Sequence, residues 1–248
     1  MMAVMIVTGG SRGIGAATVL AAAEAGYAVC VNYKSNADAA RQLVETIKGR
    51  GGKAFAYQGD VSVPEDVAGM FRQTAETLGA PTALINNAGI LEHHCRFEEM
   101  SLERLQRVFN TNVIGSMLCA QEAAKVMSTK HGGAGGVIIN ISSVAAKLGA
   151  PNEYVDYAAS KGAIDSLTIG LAKEMAESGI RVNAVRPGVI YTDIHASGGE
   201  PDRVDRVKES VPMLRGGTAA EVAQAVVWLV SDQASYCTGT TIDVSGGR

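Results

Sequence analysis

The stretch Thr8-Gly9-Gly10-Ser11-Arg12-Gly13-Ile14-Gly15 decides the fold of this 248-residue chain. It follows a short apolar run and leads into an alanine-rich segment, which is the pattern of a strand that turns directly into a helix. Gly9 permits the tight turn, Gly13 lets the backbone approach a phosphate, and Gly15 lets the helix pack on the strand. The stretch therefore predicts a nucleotide phosphate site at a helix N-terminus, although its spacing is G-x-x-x-G-x-G and not G-x-G-x-x-G.

Beyond this loop, short β-branched runs alternate with longer alanine-rich segments. The predicted strands are 3–8, 28–32, 53–58, 83–87, 136–142, 181–186 and 240–244, and the predicted helices are roughly 13–25, 36–50, 64–78, 98–130, 157–178 and 218–231. Such alternation predicts right-handed βαβ crossovers and a parallel sheet covered on both faces. We therefore expect one α/β domain, residues 1–248, of the doubly wound Rossmann type with a seven-stranded parallel sheet. The irregular stretch at about 190–217 predicts a lid loop.

Composition limits the classes of function. The chain has 22 Lys+Arg and 25 Asp+Glu, a net charge of −3, which argues against a polycationic nucleic-acid scaffold. Its longest uncharged stretches, 77–91 and 132–146, are 15 residues each, shorter than the ~20 that span a bilayer. The four cysteines show no C-x-x-C spacing, and the apolar start lacks the features of a signal peptide. We expect a cytoplasmic protein that binds neither membrane, nucleic acid nor metal.

Tyr157 and Lys161 are four residues apart on a predicted helix, so their side chains share one face. A free phenol titrates near pH 10 and is a poor base at neutrality. An ammonium about 4 Å away interacts with a phenolate by roughly 4 kcal/mol at an effective dielectric near 20. We therefore expect Lys161 to lower the pKa of Tyr157 toward about 7, where acid–base catalysis is efficient.

Three further motifs occur in order around this pair, and together they carry a resemblance to a known family. They are Asn86-Asn87-Ala88-Gly89, Asn140-Ile141-Ser142-Ser143 and Arg186-Pro187-Gly188, with Tyr157-Ala158-Ala159-Ser160-Lys161 before the last. With the glycine loop, they make the chain similar to short-chain dehydrogenases/reductases over essentially its whole length. Among these it looks most like bacterial sugar/polyol dehydrogenases and 3-oxoacyl-carrier-protein reductases. The resemblance implies hydride transfer between a nicotinamide and a carbonyl or secondary alcohol substrate. The alternative is a cofactor-binding regulatory or non-redox protein on the same scaffold.

The resemblance also implies roles for individual residues. Tyr157 would exchange the proton with the substrate oxygen, and Lys161 would tune that phenol and hold the nicotinamide ribose. Ser143 would hydrogen-bond the substrate oxygen, because the family motif places this serine second in the pair, with Ser142 as the rival. Asn112 would be the fourth catalytic residue, at a bend or water site in the long middle helix, with Asn110 as the rival.

Other candidate residues remain open. Tyr154 has Ala at i+4 in place of Lys, which favours a substrate-side or packing role. His93-His94-Cys95 follows the fourth strand and either lines the substrate pocket or lies at the surface.

The cofactor is expected to be NADP(H), with NAD(H) as the alternative. Relatives specific for NAD place an acid at the end of the second strand, but this strand ends Asn32-Tyr33-Lys34-Ser35. Arg12 and Lys34 are placed to reach a 2′-phosphate. The predicted cofactor-binding residues are Gly9, Ser11, Arg12, Gly13, Ile14, Gly15, Asn32, Tyr33, Lys34, Ser35, Asp60, Val61, Asn87, Ala88, Gly89, Tyr157, Lys161, Pro187, Gly188, Ile190 and Thr192.

The resemblance further implies a homotetramer. Relatives pair the helix here placed at 157–178 and the long helix before it, 98–130, across a two-fold axis. In this chain the first of these carries Ala163, Leu167, Gly170 and Leu171. The strand 240–244 and the tail after it would form a second contact, which gives D₂ symmetry.

Overall fold

The computed structural model describes residues 2–248 and contains a seven-stranded parallel sheet with helices on both faces. Its strands are β1 (Val4–Val7), β2 (Ala28–Tyr33), β3 (Ala54–Gln58), β4 (Ala83–Asn86), β5 (Gly136–Ile141), β6 (Ile180–Pro187) and β9 (Thr241–Val244), in the order β3-β2-β1-β4-β5-β6-β9. The short strands β7 (Ile190–Tyr191) and β8 (Gly217–Thr218) pair separately. The predicted doubly wound α/β fold with seven parallel strands is confirmed.

The helices connect these strands along the chain. They are α1 (Gly13–Glu24), α2 (Ala37–Gly49), α3 (Pro64–Thr77), α4 (Leu102–Phe109), α5 (Gly115–Met127), α6 (Ala145–Leu148), α7 (Val155–Met175), α8 (Ile194–Ser197), α9 (Arg203–Val207) and α10 (Ala219–Val230). Alternate residues of each strand face opposite sides of the sheet. Met5 and Val7 of β1 therefore pack in one core with α1, α2 and α10, whereas Ile6 packs in the other with α3, α5 and α7. Burial on both faces explains why the strands are continuously apolar.

The strand order produces a crevice between β1 and β4. The chain leaves β1 toward β2 on one side and returns to β4 on the other, so the connections after these two strands diverge. Ligands of open α/β sheets bind outside the carboxyl ends of the strands at such a point. The glycine loop after β1 and the Asn87-Ala88-Gly89 segment after β4 both lie there.

The middle helix differs most from its prediction. A single helix at 98–130 was expected, but the structure has α4, a π-helical segment Asn110–Ile114 and α5, flanked by 3₁₀ turns. Ser101 caps the start of α4, because its side chain accepts a hydrogen bond from Arg104 N. Asn112 lies within the π segment, and π segments often occur at functional sites.

Two other boundaries also need correction. The helix predicted to begin at 157 begins two residues earlier, at Val155. The stretch 190–217 was expected to be irregular, but it contains α8, α9 and a 3₁₀ turn. A small apolar cluster of Val189, Val204 and Val211 orders it, and the β7–β8 pair joins its two ends. The name "lid segment" is kept below for residues 190–217.

No helix in the described part of the chain, residues 2–248, is long and apolar enough to cross a bilayer.

Candidate active site

A cavity of about 700 Å³ opens at the carboxyl ends of the strands. It is lined by all the predicted cofactor-binding residues except Gly15, and by Ser143 of the predicted catalytic set. Gly15 lies behind the lining, where a Cβ would come within 2.3 Å of the Gly9 carbonyl oxygen. Asn112 is fully buried outside the cavity. The sequence motifs therefore converge on one site, although two of the predicted residues support it from behind.

The glycine loop adopts a conformation that only glycine accepts easily. Gly9 and Gly13 have φ values of +59° and +54°. The loop is fastened to the segment after β4, because Asn87 Nδ2 donates to the carbonyl oxygens of Thr8 at 2.9 Å and Gly9 at 3.1 Å. The loop thus holds an open cradle at the N-terminus of α1, and this cradle and the size of the cavity suit a dinucleotide.

Two side chains at the end of β2 differ in their roles: Asn32 braces the glycine loop, and Lys34 is an exposed cation. Asn32 Oδ1 accepts from Gly9 N at 3.1 Å, and its Nδ2 donates to Gly59 O at 2.9 Å, so this amide holds the loop in place. Lys34 is 70% exposed and pairs with Asp60 at 2.6 Å. No carboxylate side chain occupies the end of β2 itself, residues 32–35.

Tyr157, Lys161 and Ser143 meet on one wall of the cavity. Lys161 is buried, and its Nζ donates to Ile141 O at 2.8 Å and lies 5.6 Å from the centre of the Tyr157 ring. Ser142 is buried, and its Oγ is used in a hydrogen bond to the backbone oxygen of Lys161 at 3.2 Å. Of the two serines, Ser143 alone is partly exposed in the cavity and hydrogen-bonds the Tyr157 side chain.

The expectation that the pKa of Tyr157 is lowered toward about 7 is wrong. Burial raises the pKa of Tyr157 to about 12, and the hydrogen bond with Ser143 acts in the opposite direction. Burial also lowers the pKa of Lys161 to about 8, opposed by Asp165. The ammonium is directed at a backbone carbonyl, and desolvation outweighs the opposing interaction in each case, with Ser143 for Tyr157 and with Asp165 for Lys161. At neutral pH the phenol therefore holds its proton.

Asn112 joins two elements of the site. Its Oδ1 accepts from Ile90 N at 2.8 Å, and its Nδ2 donates to Ile90 O at 3.1 Å and Ser160 Oγ at 3.1 Å. The rival Asn110 is exposed on the same π segment. Asn112 therefore acts here as a structural tie.

The lid segment contributes residues that sequence reasoning did not identify. Arg203, Ile194 and His195 line the cavity, as do Glu153 and Tyr154 from the loop before α7. Arg203 Nη2 contacts Glu153 Oε2 at 2.5 Å, and the guanidinium lies 5.0 Å from the centre of the Tyr154 ring. The alternating acidic and basic residues of 200–206 were the available signal, but their partner Glu153 is about 50 positions away.

The histidine pair and the cysteines lie outside the cavity lining. His94 is exposed, and its Nε2 lies 3.0 Å from Glu200 Oε2 of the lid segment. Cys30 and Cys119 are buried, and burial raises the pKa of each thiol to about 12. Within residues 2–248, no group of three or more His, Cys, Asp or Glu side chains is placed to hold a metal ion.

Comparisons of sequence agree with this geometry. A family model described as enoyl-(acyl carrier protein) reductase matches residues 9–248. The uncharacterized oxidoreductase YgfF of Escherichia coli (strain K12) is 58% identical over 247 residues, and the match covers 100% of both chains. The 3-oxoacyl-[acyl-carrier-protein] reductase FabG of Staphylococcus epidermidis is 38% identical over 242 residues, 98% of this chain and 97% of that one.

Comparisons of structure lead to the same family. A short-chain type dehydrogenase/reductase from Mycobacterium marinum superposes with a TM-score of 0.92 at 36% identity, over 99% of this chain and 94% of that one. The chain belongs to the short-chain dehydrogenase/reductase family. A second member, a short chain dehydrogenase from Burkholderia cenocepacia solved in complex with NADP, has a TM-score of 0.89 at 32% identity, over 98% and 96% of the two chains. The protein is thus an oxidoreductase of this family.

The burial of Lys161 generates a prediction about stability. Below pH 8 the amine is charged in both the folded and unfolded states, and the folded state carries the full desolvation penalty. As the pH rises from 8 to about 10.5, the folded state loses this proton while the unfolded state keeps it, so stability increases. Relative to Lys161→Met, the parent protein should gain up to about 3 kcal/mol across this range, as measured by urea unfolding.

Lys125→Met, which removes an exposed lysine of α5, is the matched control and should follow the parent protein within about 0.5 kcal/mol. An unfolding free-energy difference between parent and Lys161→Met that does not change with pH would contradict the depressed pKa of Lys161.

Proposed function

We propose that the protein is an NADP(H)-dependent oxidoreductase that interconverts a carbonyl and a secondary alcohol, with Tyr157 as the acid/base. The observation that carries this proposal is the meeting of Tyr157, Ser143 and Lys161 on the wall of the same cavity that the glycine cradle borders. One relative is named a 3-oxoacyl-[acyl-carrier-protein] reductase, and one structural neighbour was solved in complex with NADP.

The cofactor, when bound, supplies or accepts the hydride. The residues of this chain transfer the proton and stabilise the charge that develops on the substrate oxygen. Tyr157 is protonated at neutral pH because its pKa is raised to about 12, so it is poised to donate a proton to a carbonyl oxygen during reduction. Ser143 donates a hydrogen bond to the same oxygen and stabilises developing negative charge. Lys161 lies behind the phenol, where its ammonium stabilises the tyrosinate that forms as the proton leaves.

The dinucleotide would be held by residues that the sequence motifs identify. The N–H groups at the start of α1 bind the phosphates, and Asp60 and Val61 border the cavity with Lys34.

The placement of the protein in the cytoplasm stays a prediction.

The assignment of the acid/base residue can be tested by three substitutions. Tyr157→Phe should lower turnover about 100-fold or more with little change in NADPH binding, because it removes only the proton donor. Tyr154→Phe should keep most turnover, since the Tyr154 hydroxyl has no hydrogen-bond partner in the described residues. Lys161→Ala should lower turnover and weaken cofactor binding. The measurement is NADPH absorbance over a panel of carbonyl compounds. Loss of turnover in Tyr154→Phe with an active Tyr157→Phe would show that the wrong tyrosine has been assigned.

Cofactor choice depends on the cation at the end of β2. The exposed ammonium of Lys34 is free to turn from Asp60 to a 2′-phosphate, and such charge-assisted contacts are strong. Lys34→Ala should raise the dissociation constant of NADPH roughly tenfold and leave that of NADH within about twofold. Lys48→Ala, on the exposed face of α2, serves as the control. A parent protein that binds NADH more tightly than NADPH would overturn the preference.

The homotetramer also remains a proposal, supported by large apolar side chains that are exposed. Ile114 and Met117 of the middle helical stretch and Ile169 of α7 are among them, as are Trp228 of α10 and Tyr236 before β9. Light scattering should give about four times 25.7 kDa. Ile169→Glu should produce smaller species, because it places a charge in a contact between copies. A parent protein that stays monomeric at micromolar concentration would refute the tetramer.

A further inference from the structure

The backbone of Tyr157 is held on both sides by its neighbours in α7. Its N–H donates to Asp156 Oδ1 at 2.9 Å, and its carbonyl oxygen accepts from Ser160 Oγ at 2.7 Å. Each of these neighbours is in turn fixed by the helical stretch 102–114. Asn112 holds Ser160 at 3.1 Å, and Arg104 holds Asp156. The backbone of Tyr157 is therefore held on both sides by hydrogen-bonded connections from one helical stretch, and each of these connections is called a tie below.

The tie through Arg104 is a buried, two-point ion pair. Arg104 Nε lies 2.7 Å from Asp156 Oδ2, and Nη2 lies 3.2 Å from Oδ1. Arg104 is 8% exposed and Asp156 is 4% exposed. Paired guanidinium and carboxylate groups in this arrangement fix orientation as well as distance. A pair this deeply buried gains little net stability over apolar side chains of similar size, because both charges lose their hydration. Stability alone therefore does not account for it.

Both ties also hold the segment that follows β4. Arg104 Nη1 donates to His93 O at 2.5 Å and contacts Cys95 Sγ at 3.3 Å, and Asn112 holds both backbone groups of Ile90. Arg104 and Asn112 thus make the same three-way connection, about two helical turns apart. Each joins the middle helix to the segment after β4 and to the first turns of α7.

The start of α7 lacks a side-chain cap at its N-cap position. Tyr154 is its N-cap residue and makes no side-chain cap hydrogen bond. The loop before it is irregular, with positive φ values at Ala150 (43°) and Asn152 (62°). Because orphan N–H groups at a helix start need partners, Asp156 supplies one from within the first turn, and Arg104 then sets the position of Asp156.

We propose that Arg104 is a positioning residue for the reaction, which acts through Asp156 to fix where the Tyr157 hydroxyl lies relative to Ser143. The inference rests on the proposed role of Tyr157 as acid/base. Small displacements of a reacting group lower turnover steeply, by as much as about 100-fold for 1 Å. Lys161, the residue proposed to hold the nicotinamide ribose, has its own hydrogen bond to Ile141 O, so we expect cofactor binding to respond less than turnover to the loss of this tie.

The test uses the double variant Arg104→Met with Asp156→Asn. It removes both charges together, so no unpaired buried charge remains, and the new amide side chain retains an oxygen that accepts from Tyr157 N. We expect turnover to fall tenfold or more with the NADPH dissociation constant within twofold of the parent protein. Turnover is measured at a temperature where circular dichroism shows every variant folded. A merely structural role would lower the melting temperature and leave this turnover unchanged.

Arg107→Met is the matched control. Arg107 lies on the same helix and forms an ion pair with Glu92 at 2.9 Å, but this pair is exposed and does not reach α7. Its turnover should stay within twofold. Arg104→Lys keeps the buried charge but not the two-point contact, so we expect turnover between those of the parent protein and the double variant. This variant decides the matter if the double variant does not fold.

Parent-level turnover in the folded double variant, or in Arg104→Lys if the double variant does not fold, would overturn the inference. Equal losses in Arg107→Met would also overturn it, because the effect would then not be specific to the tie. Tyr157→Phe in the same assay separates this failure from failure of the proposed function. If Tyr157→Phe is active, the proposed acid/base role of Tyr157 is refuted. If Tyr157→Phe is inactive and the double variant is fully active, only the positioning role of Arg104 is refuted.

Discussion

The amide of Asn112 joins the segment after β4 to α7, and the rest of the site depends on this junction. It is fully buried and uses both its donor and its acceptor atoms, on Ile90 and Ser160. A buried polar group is stable only when its hydrogen bonds are made, so this side chain allows one relative placement of the two elements. A Cβ on Gly89 would lie 3.4 Å from Asn112 Oδ1 and 3.6 Å from Lys161 Nζ. The glycine therefore lets the segment after β4, the middle helix and Lys161 approach one another.

Desolvation sets the electrostatics of the proposed catalytic group. The same burial that raises the pKa of Tyr157 lowers that of Lys161, so both groups are shifted toward their neutral forms. At neutral pH, below the Lys161 pKa of about 8, the phenol keeps its proton and the amine is charged, so one poorly solvated positive charge lies beside the phenol before the reaction begins. In the proposed reaction, charge that develops on a substrate oxygen would lie beside Ser143 and Lys161 in a poorly solvated wall, where electrostatic stabilisation is strongest.

Local patterns in the sequence predicted most of the fold and much of the site. The glycine loop, the strand periodicity and the spacing of Tyr157 and Lys161 depend on near neighbours along the chain, and the structure brings them together as expected. The π segment, the helices of the lid segment and the pKa of Tyr157 depend on tertiary contacts, which composition and spacing do not encode. The pairing of Arg104 with Asp156 is the sharpest example, because the two residues are 52 positions apart and each alone reads as an ordinary charge near a helix start.

Transfer of deuterium from NADPH labelled at the nicotinamide C4 position tests the proposed chemistry most directly. The substrates are a panel of saturated and α,β-unsaturated carbonyl compounds, which includes alkene reduction as a competing reaction of the kind named for the matching family model. Carbonyl reduction with proton donation by Tyr157 predicts deuterium on the carbinol carbon of a secondary alcohol, with one NADPH consumed per alcohol formed. Deuterium on the carbon β to an intact carbonyl, with no alcohol formed, would contradict it.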